Sequence, residues 1–393
     1  MAKAVIFFEP ATPALVICMK NTFGQSVSLT LFGESHGEAV GAVIDGMAPG
    51  IEIDNTLIER LASKRRPAGL IDTARRENDD YRILSGVRNG MTTGTPIAIV
   101  MPNKDTRSAD YESTRGSARP SHADYTAYVK YHGYEDYRGG GHFSGRITAA
   151  LTVAGGIFLS ALNRLGIEIG THILSCAGIC DRSFASLPEE LADINGQSFP
   201  VLDPEQGEKM ISAILEAKSL GDSIGGKVQT AVCGVPAGVG EPWFDSLEGV
   251  LSHALFSIGG IKGVEFGAGF GFCDMRGSEA NDSFACKNGR ITTLSNNNGG
   301  INGGISNGMP IVFNCAVKPT PSISISQGTV DFIKNENTVM SIKGRHDPAI
   351  FKRICPVIDS VTALTVCDML AQRYGTDVLK NGFAGTAEPK QKG

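Results

Sequence analysis

The sequence lacks any Cys-x-x-Cys pair; the closest spacing among its nine cysteines is Cys176 to Cys180. That argues against a disulfide scaffold or a structural zinc site, and the cysteines read as small hydrophobes in a reducing cytosol. No His-x-x-x-His or comparable spacing appears, so no metal is expected. No unbroken run of about 18 apolar residues exists, so no membrane-spanning helix is expected. Basic charge is not in surplus: the net charge is −5, which excludes general nucleic-acid binding. Met1 to Lys20 is apolar but broken by Glu9, Pro10 and Pro13, and it lacks the basic start of a signal peptide. It reads as an N-terminal extension. No Gly-x-Gly-x-x-Gly follows the first strand, and Gly225-Gly226-Lys227 lacks the leading glycine and spacing of a phosphate-binding Walker loop.

What is present is a chain able to bury a core, with 41% hydrophobic and 20% charged residues. Its 49 glycines are about twice the usual share and come in doublets and triplets, a sign of tight turns and close backbone approaches. No linker and no fixed-period repeat is visible, so residues 21–393 are expected to form a single domain. Ser28 to Phe32, Ala39 to Gly46, Arg82 to Val87, Pro96 to Met101, Glu168 to Ala177, Lys227 to Val235 and Met309 to Val317 read as strands. Asp54 is a plausible helix N-cap, with Leu57, Ile58, Leu61 and Ala62 at helical spacing. Ser121 reads as the cap of a short helix through Tyr131. Gly145 to Leu165, Pro204 to Lys218, Asp245 to Phe256 and Val357 to Arg373 read as further helices. Strands that come both as hairpins and with helices between them favour an α+β fold.

Three features carry chemistry. Arg60, Lys64, Arg65, Arg66, Arg75 and Arg76 crowd into seventeen residues, and Arg115, Arg119, Arg138 and Arg146 follow. Arginine suits phosphate and carboxylate because its planar fork binds them bidentately. The alternative is a solvated helix face paired with Glu59, Asp72 and Glu77. Second, His36, His122, His142 and His346 lie beside turn-forming or glycine-rich sequence, where backbone positions them for proton transfer. His132, His172 and His253 read as structural. Third, Asn296 to Gly308 holds five asparagines and five glycines, a loop able to bring backbone N–H groups close to a planar or phosphorylated ligand. A flexible surface loop is the alternative.

Ten motifs in one order, from about Thr22 to Leu370, resemble the chorismate synthase family. They are Phe32-Gly-Glu-Ser-His-Gly37, Arg65-Arg66-Pro67, Arg119-Pro-Ser-His-Ala-Asp-Tyr125, Tyr137-Arg-Gly-Gly-Gly141, Gly221-Asp-Ser-Ile-Gly225, Gly234-Val-Pro-Ala-Gly-Val-Gly-Glu-Pro242, Lys262-Gly-Val-Glu-Phe-Gly267, the Asn–Gly loop, Lys318-Pro-Thr320 and Gly344-Arg-His-Asp-Pro348. The resemblance implies a β-α-β sandwich, with helices between antiparallel sheets, assembled as a homotetramer in the cytoplasm. It implies a lyase that converts 5-enolpyruvylshikimate 3-phosphate to chorismate with reduced FMN, by 1,4-anti elimination and without net oxidation, as the last step of the shikimate pathway. By motif, His36 would protonate the leaving phosphate, His122 the reduced flavin, and Asp347 would take a proton at flavin N5. Arg65, Arg66, Arg75, Arg146 and Arg345 would bind substrate. Flavin contacts would come from His142, Phe143, Ser144, Gly259, Gly260, Gly303, Lys318, Pro319, Thr320, Pro321, Ser322 and Arg345.

The sequence departs from the family's commonest pattern at three places. His142 replaces an arginine near the flavin, so that contact is expected to weaken or to pass to Nε2. The stretch after Pro67 is one residue short, and an arginine is missing around Leu70 and Ile71, with Arg75 or Arg76 placed to compensate. Pro321 replaces a small polar residue. No dinucleotide fingerprint is present, so an external flavin reductase or other reductant is expected rather than direct use of NAD(P)H. The competing reading is a flavin- or phosphate-binding scaffold without activity.

Overall fold

The computed structural model describes residues 20–73, 79–104, 115–342 and 347–383. Arg75, Arg76, Arg345, His346 and nearly all of the N-terminal extension lie outside these residues.

Alternating burial sets the first sheet. Val40, Ala42 and Ile44 pair across an antiparallel ladder with Met101, Ile99 and Ile97, and all six side chains are buried on one face. In space the strands run Thr22–Phe23, Ser28–Gly33, Ala39–Asp45, Ile97–Pro102, Arg82–Ile83. The second sheet runs Ile261–Phe266, Ile311–Val317, Gly226–Cys233, Glu168–Cys176, Ile179–Cys180, also antiparallel throughout. Its Glu168–Cys176 and Gly226–Cys233 strands each have five consecutive buried residues because both faces are covered there. Thr171 faces inward and donates to Asp359 on a helix. Gly170, on the other face, admits Leu191 and Ile194 of the Glu189–Gly196 helix.

Helices fill the space between the sheets. The Thr148–Arg164 helix touches strands of both sheets. The Phe351–Tyr374 helix packs on Glu168–Cys176 and Gly226–Cys233 and reaches Ser28–Gly33. Asn55–Arg65 packs against both helices. This is an α+β fold, and it is the β-α-β sandwich that the family resemblance implies. Two of these helices, spanning Gly145–Arg164 and Phe351–Tyr374, are long and apolar enough to cross a membrane, but they are buried within the sandwich. The Phe351–Tyr374 helix also ties down the start of the first sheet. Asp368 accepts backbone N–H groups from Gln25, Ser26 and Val27, at 2.7 to 3.1 Å.

The expected elements shift where packing or backbone geometry decides. Asp54 caps its helix, accepting from Thr56 N and Leu57 N. Ser121 does not cap: it sits at φ +59, and its helix begins at Asp124 after Ala123. Arg82–Ile83 pairs with the neighbouring strand, but Val87–Arg88 turns away into its own hairpin with Met91–Thr92. The last long helix starts at Phe351, six residues earlier than expected, and carries Pro356 inside it. Burial of nearly every residue there outweighs proline's cost.

Glycine makes the helix packing possible. A Cβ on Gly155 would stand 2.3 Å from Ser360 Cβ and 2.8 Å from its Cα, and one on Gly156 would stand 2.9 Å from Ile58 Cα. Gly155→Ala is expected to destabilise by about 1–3 kcal/mol, although alanine is the better helix former. A denaturant midpoint at or above wild type would refute this.

Asp359 is buried, and burial pushes its carboxyl up to about 6 from 3.8, opposed by the bond from Thr171 and by Lys64 and Arg60. Between those values the folded state holds a proton that the unfolded state has lost. The stability contribution is therefore full below pH 3.8 and disappears as pH rises through about 6. Asp359→Asn should melt above wild type at pH 7 to 8 and converge with it near pH 4. Parallel melting curves across that range would contradict the assignment.

Candidate active site

The Gly139–Gly141 triplet is the floor of the candidate site. All three residues have positive φ (60°, 86° and 53°), which side chains rarely adopt. Their missing side chains leave room for two imidazoles. A Cβ on Gly139 would lie 2.7 Å from His36 Nε2, and one on Gly140 would lie 3.5 Å from His122 Nε2. The two histidines, far apart in sequence, thus bring their Nε2 atoms to adjacent residues of one turn.

Each imidazole is held from behind. The His36 turn is closed by Gly37 N–H to Glu34 O at 3.1 Å, and Ser35 N–H donates to Gly141 O at 3.1 Å. This turn has the Gly-x-Ser-x-Gly spacing of a nucleophile elbow, but it joins strand to strand rather than strand to helix. His122 Nδ1 is 2.9 Å from Asp124 Oδ1. A carboxylate can only accept, so Nδ1 carries the proton. Burial works to raise the Asp124 carboxyl, but the Arg119 fork and His122 outweigh it and hold it well below the usual range. His142 Nδ1 is 2.8 Å from Gly33 O, so it too donates, leaving Nε2 as the ring's remaining polar atom.

Beside the histidines lies a buried cluster of charge. Asp79 accepts from Arg65 Nη2 at 2.7 Å and from Arg146 Nη1 at 2.5 Å, and all three side chains are at most 5% exposed. Burial lowers the pKa of Arg65, with Asp79 opposing it. Arg65 ends its helix, and Arg146 sits in the turn that leads into the Thr148–Arg164 helix. Arg66 instead bonds Glu59 on the surface at 2.7 Å and approaches Asp79 only at 3.7 Å. Asp347 accepts from Thr73 N–H at 2.9 Å and is paired with Arg353, whose Nε donates to Arg65 O at 2.7 Å. The segment short of an arginine has Leu70 exposed. Lys218 Nζ donates to Leu70 O and Asp72 O, and Lys352 pairs with the buried Asp72 at 2.6 Å.

Several expected flavin contacts meet here, and others are described only by their own surroundings. Lys318 Nζ donates to Ser121 O, beside His122, and burial lowers its pKa with Lys262 adding to the effect. Lys318 N–H donates to Gly260 O at 2.9 Å, which places Gly259 and Gly260 against that strand end. Thr320 Oγ1 is buried with no hydrogen-bond partner among the described residues, and Pro319, Pro321 and Ser322 flank it. Phe143 is half exposed against Tyr131, and Ser144 Oγ accepts Arg146 N–H. Gly303 turns with open space where a Cβ would stand. Nothing in the described geometry brings it beside the histidines.

A model of the family described as chorismate synthase matches residues 27–371. The chain belongs to the chorismate synthase family. It is therefore an enzyme, a lyase acting on a phosphate ester. It is 44% identical over 351 residues to a chorismate synthase of Thermococcus gammatolerans, covering 89% of this chain and 97% of that one. It is 45% identical over 364 residues to one of Methanosarcina mazei, covering 92% and 97%. A solved structure, a crystal structure of chorismate synthase, matches with a TM-score of 0.71 at 28% identity over 90% of this chain and 94% of that one.

Sequence reasoning missed four residues that organise the site: Asp79, Asn103, Asp124 and Arg353. Asp124 lay inside a quoted motif, and an acid two residues from a histidine is a readable signal. The other three each have partners distant in sequence, 14 to 288 positions away, although Arg353 also pairs with nearby Asp347. Asp79→Ala would strip two buried guanidiniums of their shared carboxylate and should cost roughly 3–5 kcal/mol. Chemical denaturation giving less than about 1 kcal/mol would mean that Asp79 is not the pivot of the cluster.

Proposed function

We propose that this chain converts 5-enolpyruvylshikimate 3-phosphate to chorismate and inorganic phosphate, using reduced FMN with no net redox change, as the last step of the shikimate pathway. The observation that carries the reading is the pair of histidine edges on one glycine turn beside two arginines fixed by one carboxylate. That arrangement suits expulsion of an anionic leaving group, which needs a proton and positive charge close by. In this elimination the ring C–O bond to phosphate breaks and a ring hydrogen is lost.

The residues present fit a planar, phosphorylated cofactor. The orphaned Thr320 hydroxyl is two residues along the chain from Lys318, and the glycine turn offers bare backbone. Reduced FMN, when bound, would supply a transient electron source and an acceptor for the ring hydrogen, with no net redox change. His142, Phe143, Ser144, Gly259, Gly260, Gly303, Lys318, Pro319, Thr320, Pro321, Ser322 and Arg345 would hold it, with His142 using Nε2. His36 gives its proton to the leaving phosphate. His122, its Nδ1 proton held by Asp124, serves as proton donor at Nε2. Asp347 takes a proton from the cofactor side, with Arg353 keeping its carboxylate in place. Arg65 and Arg146 bind the substrate's anionic groups, and by motif Arg66, Arg75 and Arg345 are assigned to substrate as well.

The source of electrons in this reading is an external reductant. A cytoplasmic location fits the exposed free thiols of Cys180, Cys273 and Cys286. A homotetramer would cover exposed aromatic side chains such as Trp243, Phe244 and Phe270.

The test is anaerobic. Protein, photoreduced FMN and 5-enolpyruvylshikimate 3-phosphate should release chorismate and phosphate in equal amounts while the flavin stays reduced. His122→Ala should stay folded and turn over about a hundredfold more slowly. Tight binding of both ligands without product would instead identify a scaffold without activity. NADPH oxidation by the purified protein with FMN, at the rate of chorismate formation, would remove the external reductant.

A further inference from the structure

Asn103 follows the Ile97–Pro102 strand, and its side-chain amide joins two parts of the site. Its Nδ2 donates to Glu34 O and to Gly37 O, both at 2.9 Å, gripping both ends of the turn that holds His36. Its Oδ1 accepts from Arg146 Nε at 3.0 Å. Its backbone N–H donates to Glu38 O at 3.0 Å. The partners dictate which way the amide lies, because the carbonyls can only accept and the guanidinium can only donate. A planar amide held at both ends is a rigid spacer.

Behind Asn103, Arg146 is anchored separately, to Asp79 at 2.5 Å and to Pro102 O at 3.3 Å. Losing the Asn103 side chain therefore leaves the arginine held while loosening the histidine turn. We propose that Asn103 is a positioning residue that fixes the His36 imidazole at a set separation from the Arg146 guanidinium, so that both address the same leaving phosphate. This rests on the roles given to His36 and Arg146 in the reading above. Misplacement of a proton donor by about 1 Å can cost a hundredfold in rate, whereas binding through a still-anchored arginine is largely kept.

Two variants test it. Asn103→Ala removes the amide. Asn103→Asp keeps its shape and its acceptor for Arg146, but sets a carboxylate oxygen against the Glu34 and Gly37 carbonyls. Both should keep the wild-type circular dichroism spectrum and lower kcat ten- to hundredfold, with KM for 5-enolpyruvylshikimate 3-phosphate changed less than about threefold. In a His36→Ala background, Asn103→Ala should lower kcat no further, because its effect passes through that histidine. A raised KM with unchanged kcat, or fully multiplicative losses in the double variant, would overturn the proposal. The His36 Cε1–H resonance provides a readout that needs no turnover. It should shift or broaden in Asn103→Asp, and an unmoved signal would overturn the proposal on its own. A wild-type protein that makes no chorismate would instead remove the functional reading, and the resonance would still decide where Asn103 acts.

Discussion

One carboxylate, Asp79, lies between two buried guanidiniums, and the candidate site is organised around it. Two arginines out of water are costly unless their charge is met, and a single acid meets only half of it. The remaining positive charge favours an anion there. The same guanidiniums pass the constraint outward. Arg146 meets Asn103 and, through it, the His36 turn. Arg65 offers its backbone carbonyl to Arg353, which holds Asp347. Residues scattered from 34 to 353 thus become parts of one bonded framework.

Much of the fold could be read along the chain. Ala39–Asp45 and Ile97–Pro102 were readable as strands from their short apolar runs, whereas the face that is buried was set by their pairing. Asp54 announced its helix by side-chain chemistry alone. What could not be read were the elements decided by partners. Val87–Arg88 left its strand for a small hairpin, and the helix at Phe351 ran through a proline because its surroundings are apolar on all sides. Ser121 was a reasonable cap by composition, yet its left-handed backbone turned it toward Lys318.

The site was legible in a different measure. His36, His122 and the glycine triplet stood out because turn chemistry near titratable side chains is visible at short range, and the structure brings them together. Arg66 stood out equally, and its guanidinium is bonded mainly to Glu59 at the surface. Spacing along a helix cannot tell Arg65 from its neighbour; only the direction in which each side chain leaves the helix does. Asp79 and Asn103 gave no local signal, since their meaning lies in partners 67 and 43 positions away.

The order of the chain has a consequence for its assembly. The helix that occupies the middle of the sandwich is synthesised after the strands of both sheets. Until Phe351–Tyr374 emerges, the inner face of each sheet lacks part of its cover, and the backbone N–H groups of residues 25–27 lack the Asp368 carboxylate that receives them. A nascent chain that has not yet made this helix carries two half-covered apolar surfaces, at a stage when chaperones and neighbouring chains can reach them. Docking of this helix joins residues 25–27 to Asp368 in one step, so its loss would expose both sheets rather than trim one edge.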